Sequence, residues 1–161
     1  MNQDQDITMK YRENQKKIKY MKAALKEAQK AFLKDEVPVG AVVVYHDKII
    51  ARAHNLREQK QEFHAHAEFL AMMKAAKKIG SWRLEDCQVY VTMEPCPMCA
   101  GAMIQSRIKS LYYGAKDYKA GVAESMMNIF ELPFNHKIHV ESGLLENESQ
   151  LLLKNFFKKL R

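Results

Sequence analysis

Cysteine is scarce in this sequence, with three among 161 residues. An odd count, at Cys87, Cys96 and Cys99, argues against a disulfide framework and leaves thiols for a metal. Glycine and proline are also few, at six and four, so long disordered linkers are not expected. No stretch approaches the roughly 20 apolar residues needed to span a bilayer, and no membrane partner is expected. The opening MNQDQDITMKYRENQKK has no apolar h-region, so it does not read as a secretory signal. A cytoplasmic protein is the expectation. Internal repeats and low-complexity segments are absent too.

What remains is 47% hydrophobic, enough for a single core. Residues 1–15 read as a polar, mobile tail and 16–161 as one domain. The net charge of +7, with a pI near 9.3, favours polyanionic partners. Many basic domains bind no nucleic acid, so charge alone selects no function.

Apolar residues Ile18, Met21, Leu25, Ala28 and Phe32 recur at helical spacing. Val37-Pro38-Val39-Gly40 ends that pattern and leads into a hairpin, AVVVY turning at His46-Asp47 into KIIARAHN. A helix is predicted from His66 to Ile79, stopped by Gly80. The strand QVYVTM (88–93) precedes a helix with Pro97 in its first turn. A strand over 108–114, a helix over 122–132, a short strand over 137–141 and a terminal helix complete the series. Alternating strands and helices imply a sheet covered on both faces, and the hairpin makes it mixed.

Cys96-x-x-Cys99 sits at a strand-to-helix junction. Two side chains three apart on a helix share a face, and a helix N-terminus favours the metal-binding thiolate. Alone, such a pair is equally a redox motif or two buried thiols. His66, thirty positions earlier and also at a helix start, adds an imidazole. Three protein ligands on tetrahedral zinc leave one position for water, the mark of a catalytic site. Glu68 follows as a carboxylate able to accept and redeliver a proton. Residues i and i+2 within a helix point about 200° apart, so His66 should sit at the cap or first turn. His64 is a spare imidazole in a loop, and Cys87 reads as a packing thiol.

His66-Ala67-Glu68 followed by Glu94-Pro95-Cys96-Pro97-Met98-Cys99 resembles the signature of the zinc cytidine/deoxycytidylate deaminase superfamily. Val37 to Ala41, His54-Asn55, GSWRLE (80–85), CAGAMIQSRI (99–108), YGAKDYKAG (113–121) and Asn135-His136 are similar to bacterial tRNA-specific adenosine deaminases. The resemblance implies a cytidine deaminase-like fold, a three-layer α/β/α sandwich around a mixed five-stranded sheet. It implies one zinc per chain on His66, Cys96 and Cys99, with Glu68 as proton shuttle. It also implies a homodimer, a tRNA anticodon stem-loop as partner, and Asn55, Val39 and Asp117 bordering the flipped wobble nucleotide. The implied reaction is hydrolysis at C6 of adenine, giving inosine. Three positions depart from the pattern: Phe63-His64-Ala65 where Pro-Thr is common before the histidine, Pro97, and Glu124.

Two other functions stay open. Cys96-Pro97-Met98-Cys99 also occurs in guanine deaminases, so a free base or nucleotide is an alternative substrate. A structural zinc or RNA-binding module would need a fourth protein ligand. The terminal LLLKNFFKKLR suggests an RNA surface. Phe156 and Phe157 lie about 100° apart on a helix, so one ring should join Leu152 and Leu160 in the core. The other should stack on an unpaired base beside Lys158, Lys159 and Arg161. The competing account buries both rings and leaves the lysines as a solvated face.

Overall fold

A computed structural model describes residues 2–161. The first helix, α1 (Gln3–Leu33), is twice as long as its apolar stripe requires. The segment read as a mobile tail is helical, although exposed. A capping box between Asn2 and Gln5 satisfies the first amides, and Asp4 and Asp6 suit the positive end of the helix dipole. Those local terms sustain the helix where no apolar face is buried.

Strands β1 (Gly40–Tyr45), β2 (Lys48–His54), β3 (Cys87–Met93), β4 (Ser110–Ala115) and β5 (His139–Glu141) form one sheet in the order β2-β1-β3-β4-β5. The pairs β1–β2 and β1–β3 are antiparallel, whereas β3–β4 and β4–β5 are parallel. The expected mixed five-stranded sheet is present. Between strands lie α2 (Arg57–Lys60), α3 (Ala67–Ile79) and α4 (Pro97–Gln105), and α5 (Glu146–Lys159) closes the chain. The short α2 has no apolar periodicity, and sequence reading missed it.

Strand alternation assigns the two faces. Ala41, Val43, Val89, Val91, Leu111 and Tyr113 point to the α3–α4 layer, where Ala67, Ala71 and Ala75 let α3 lie close. Val42, Val44, Tyr90 and Tyr112 point the other way, against Tyr20, Met21 and Ala24 of α1. The result is helix, sheet, helix, with β1, β3 and β4 buried on both sides. Gly40 marks the crossing of α1 over β1: a Cβ there would fall 2.0 Å from the Ala24 carbonyl oxygen.

Two further expectations fail. Residues 122–132 form turns and a single 3-10 turn, Ile129–Glu131, rather than a helix. The amides of Ala123, Glu124 and Ser125 donate to the Glu94 carboxylate, and those of Met126 and Ile129 reach the Gly121 and Val122 carbonyls, so the i to i−4 ladder of a helix does not form. Leu160 is 61% exposed at the C-cap of α5, not in the core. Phe156, 2% exposed, fills that position edge-on to Phe32, 5.9 Å between ring centres.

Candidate active site

His66 is the N-cap of α3, with extended backbone (φ −81°, ψ 150°). Cys96 caps α4 in the same way, and Pro97 supplies the pre-set φ of the first turn. Two caps from helices on one side of the sheet thereby meet. Nδ1 of His66 is 3.6 Å from Sγ of Cys96 and 3.5 Å from Sγ of Cys99. Because His66 is extended, Glu68 in the first turn of α3 is not carried to the opposite side.

Donor chemistry and spacing fit a metal. The three ligand atoms lie within 4.8 Å of one another, and no other His, Cys, Asp or Glu joins such a group among the described residues. Bonds of about 2.3 Å to sulfur and about 2.0–2.1 Å to nitrogen, at tetrahedral angles, would separate nitrogen from sulfur by ~3.6 Å. His64 is elsewhere engaged, its Nε2 3.3 Å from a carboxylate oxygen of Glu62. The group could therefore hold a metal through three protein ligands.

Charge is already arranged for it. The Cys99 thiol, donating to Cys96, outweighs burial and pulls the Cys96 thiol down to about 4, with His66 adding to the effect. The same pairing, with burial, pushes Cys99 up. His66 is raised, chiefly by its bond to Cys96. Metal binding would release the remaining protons. Glu68 is 4% exposed, and burial pushes its carboxyl up to about 7.

His66, Cys96 and Glu68 open onto a cavity of about 540 Å³, and Cys99 is buried beside His66. Val39, Asn55 and Asp117 all line it, so the three residues expected from the resemblance converge. Asn55 is buried, its Nδ2 donating to the Val37 carbonyl and its Oδ1 accepting from the Arg57 amide. Asp117 Oδ1 accepts from the amides of Lys119 and Ala120, which fixes the carboxylate in a tight turn. Sequence reading missed Arg57, Tyr118 and Leu153 on the cavity wall. It also missed the role of Glu94, which was visible only as a letter of the signature.

The terminal residues divide. Phe157 is 47% exposed and lines the cavity, whereas Phe156 is core. Lys159 is tied to Asp35 at 2.8 Å and lies over the Phe32 ring. Lys158 and Arg161 are exposed.

Sheet order, paired helix caps and a His/Cys/Cys group beside a buried glutamate define a deaminase. The family model of MafB19-like deaminases matches residues 15–161. The chain belongs to the family of bacterial tRNA-specific adenosine deaminases. It is 53% identical over 143 residues to the tRNA-specific adenosine deaminase of Bacillus subtilis (strain 168), covering 88% of this chain and 89% of that one. A structure from a study of A-to-I editing by tRNA:A34 deaminases superposes with a TM-score of 0.81 at 44% identity, covering 83% and 98% of the two chains. The guanine deaminase of Nitrosomonas europaea has the same fold at 27% identity, with a TM-score of 0.70 over 85% and 82%.

Proposed function

We propose that this chain hydrolyses adenosine to inosine at the wobble position of a tRNA anticodon, using one zinc held by His66, Cys96 and Cys99. The observation that carries the reading is that His66, Cys96 and Glu68, with Cys99 completing the ligand group, meet on the cavity wall that Asn55, Val39 and Asp117 also line. A zinc held there would acidify a water and so supply the nucleophile for attack at C6. Glu68 would take one proton from the water and deliver it to N1 of adenine, then carry the second, from the C6 hydroxyl, to the departing amine, which leaves as ammonia. Burial suits that role, because a carboxyl near 7 accepts and returns a proton at neutral pH.

Asn55, already held by Val37 and Arg57, keeps one amide hydrogen free for the base or ribose. Arg57, Lys116 and Lys119 at the cavity suit phosphates, and Phe157 suits stacking of a neighbouring base. Lys158 and Arg161 extend the basic surface, and Lys159 contributes less because Asp35 neutralises it. The flipped base requires an unstacked anticodon loop, which fits a transfer RNA in the cytoplasm. Exposed Met73 and Trp82, beside Phe69 and Met72, form an apolar groove consistent with a homodimer.

Free guanine is the weaker reading. It rests on Pro97 and a 27% relative, against 53% identity to the tRNA-specific enzyme. Incubating the zinc-loaded protein separately with an anticodon stem-loop RNA and with guanine, then analysing both by mass, separates the two. Inosine in the RNA supports the proposal; xanthine alone refutes it.

A further inference from the structure

Glu94 stands immediately after β3, two positions before Cys96, and is 3% exposed. Among the described residues its carboxylate has no cationic partner. It is spent on the chain that follows β4. Oε1 accepts from the Asp117 amide at 3.0 Å and from the Ser125 hydroxyl. Oε2 accepts from the amides of Ala123, Glu124 and Ser125 at 2.9–3.0 Å. One buried group thus gathers five donors from a segment with no regular secondary structure.

The surroundings are built to that contact. A Cβ on Gly121 would fall 2.3 Å from the Glu94 carboxyl carbon, so only glycine lets the segment close over it. The Val122 amide donates to the Pro95 carbonyl at 3.1 Å, a second tie to the strand that leads into the metal ligands. Within the segment, Gly121 N–H closes a turn onto the Asp117 carbonyl. Asp117 is therefore held from both sides, by Glu94 through its own amide and by the turn through its side chain.

We propose that Glu94 is a positioning residue for substrate recognition, holding the Asp117 wall of the cavity in register with the His66/Cys96/Cys99 group. This rests on the adenosine-in-RNA reading above. Although Glu94 also borders the cavity, in this role it acts through Asp117 and not on substrate or metal directly. Its loss should displace Asp117 and weaken binding while leaving the chemistry intact.

The test uses the zinc-loaded full chain with an anticodon stem-loop RNA. Glu94→Gln puts an amide N–H2 where backbone N–H groups now donate. KM should rise on the order of tenfold, as for loss of a charged hydrogen bond, with kcat and zinc content little changed. Faster amide hydrogen exchange should be confined to residues 117–125. In an Asp117→Ala background, Glu94→Gln should add less than about twofold, because the two act as one unit. Glu94→Asp, which keeps the charge, should recover part of the loss. Ser125→Ala removes one donor, should follow the same pattern more weakly, and carries the test if Glu94→Gln does not fold. Multiplying KM effects, a fall in kcat at constant KM, or exchange changes spread over α3 and α4 would overturn the proposal. If the native chain makes no inosine, the adenosine reading fails, and the exchange pattern alone decides the positioning role.

Discussion

Nδ1 of His66 and Sγ of Cys96 are 3.6 Å apart although thirty positions separate them in the chain. Each residue is the N-cap of a helix on the same side of the sheet. The contact therefore depends on β3 and α3 lying side by side, not on local sequence. It predicts that Cys96→Ala or Cys99→Ala abolishes zinc binding, while Cys87→Ser keeps about one zinc per chain. Cys87 lies at the far end of β3, and burial pushes its thiol up to about 11. Elemental analysis of the purified variants checks both halves.

Gly40→Ala tests the packing of α1. The added methyl would meet the Ala24 carbonyl at 2.0 Å and the Ala28 amide nitrogen at 2.4 Å, both backbone atoms that cannot turn away. A loss of about 1–3 kcal/mol is expected, as for overpacked cores. At this chain length that lowers Tm by about 2–4 °C per kcal/mol. Thermal unfolding measures it, and an unchanged Tm would mean α1 does not cross β1 so closely.

Acid stability should depend on a buried pair on α1 and β2. Burial alone would raise the Glu27 carboxyl, but hydrogen bonds from Lys30 and His54 outweigh it and hold it below the usual 4.5. Burial lowers His54 below 6.5, and its bond to Glu27 opposes this without overcoming it. Both folded values lie below the unfolded ones, so both contributions are complete at neutral pH and disappear on acidification. Tm should start to fall below about pH 6.5 and fall further below about pH 4.5, the unperturbed values. In Glu27→Gln the second decline should be shallower. A profile identical to wild type would remove Glu27 from the account.

The terminal helix makes a graded prediction. Neutralising Lys158 and Arg161 should weaken stem-loop binding and reduce the salt slope by about 0.7 per lost phosphate contact. Neutralising Lys159, already paired with Asp35, should do less. Phe157→Ala should weaken binding with little change in Tm. Phe156→Ala should cost about 3–5 kcal/mol of stability, as for a buried aromatic. Filter binding across a salt titration, with unfolding as control, distinguishes these effects.

The parts legible in the sequence are those whose pattern is local. β1 and β3 read as apolar strands, Gly80 stopped α3 in a left-handed cap, and Pro97 opened α4. The 200° argument put His66 at the cap or first turn, and the structure has it as an extended N-cap. Residues 122–132 were misread because their apolar spacing is helical while their amides are claimed by Glu94, which is distant in sequence. Residues 2–15 were misread for the opposite reason: caps and charges build a helix there without any buried stripe. Leu160 has the spacing of a core residue but lies at the C-cap of α5, beyond the packed surface.

The central claim is that Glu68, beside the His66/Cys96/Cys99 group, moves the proton in deamination of an RNA adenosine. The direct measurement is the mass of an anticodon stem-loop after incubation with zinc-loaded wild type and with Glu68→Ala, zinc content being assayed in both. Wild type should add about one mass unit at the wobble adenosine, an amine replaced by oxygen. Glu68→Ala should hold the same zinc, bind the RNA, and turn over at least about a hundredfold more slowly. Inosine formed by that variant at near the wild-type rate, or an RNA left unchanged by the wild type, would contradict the account.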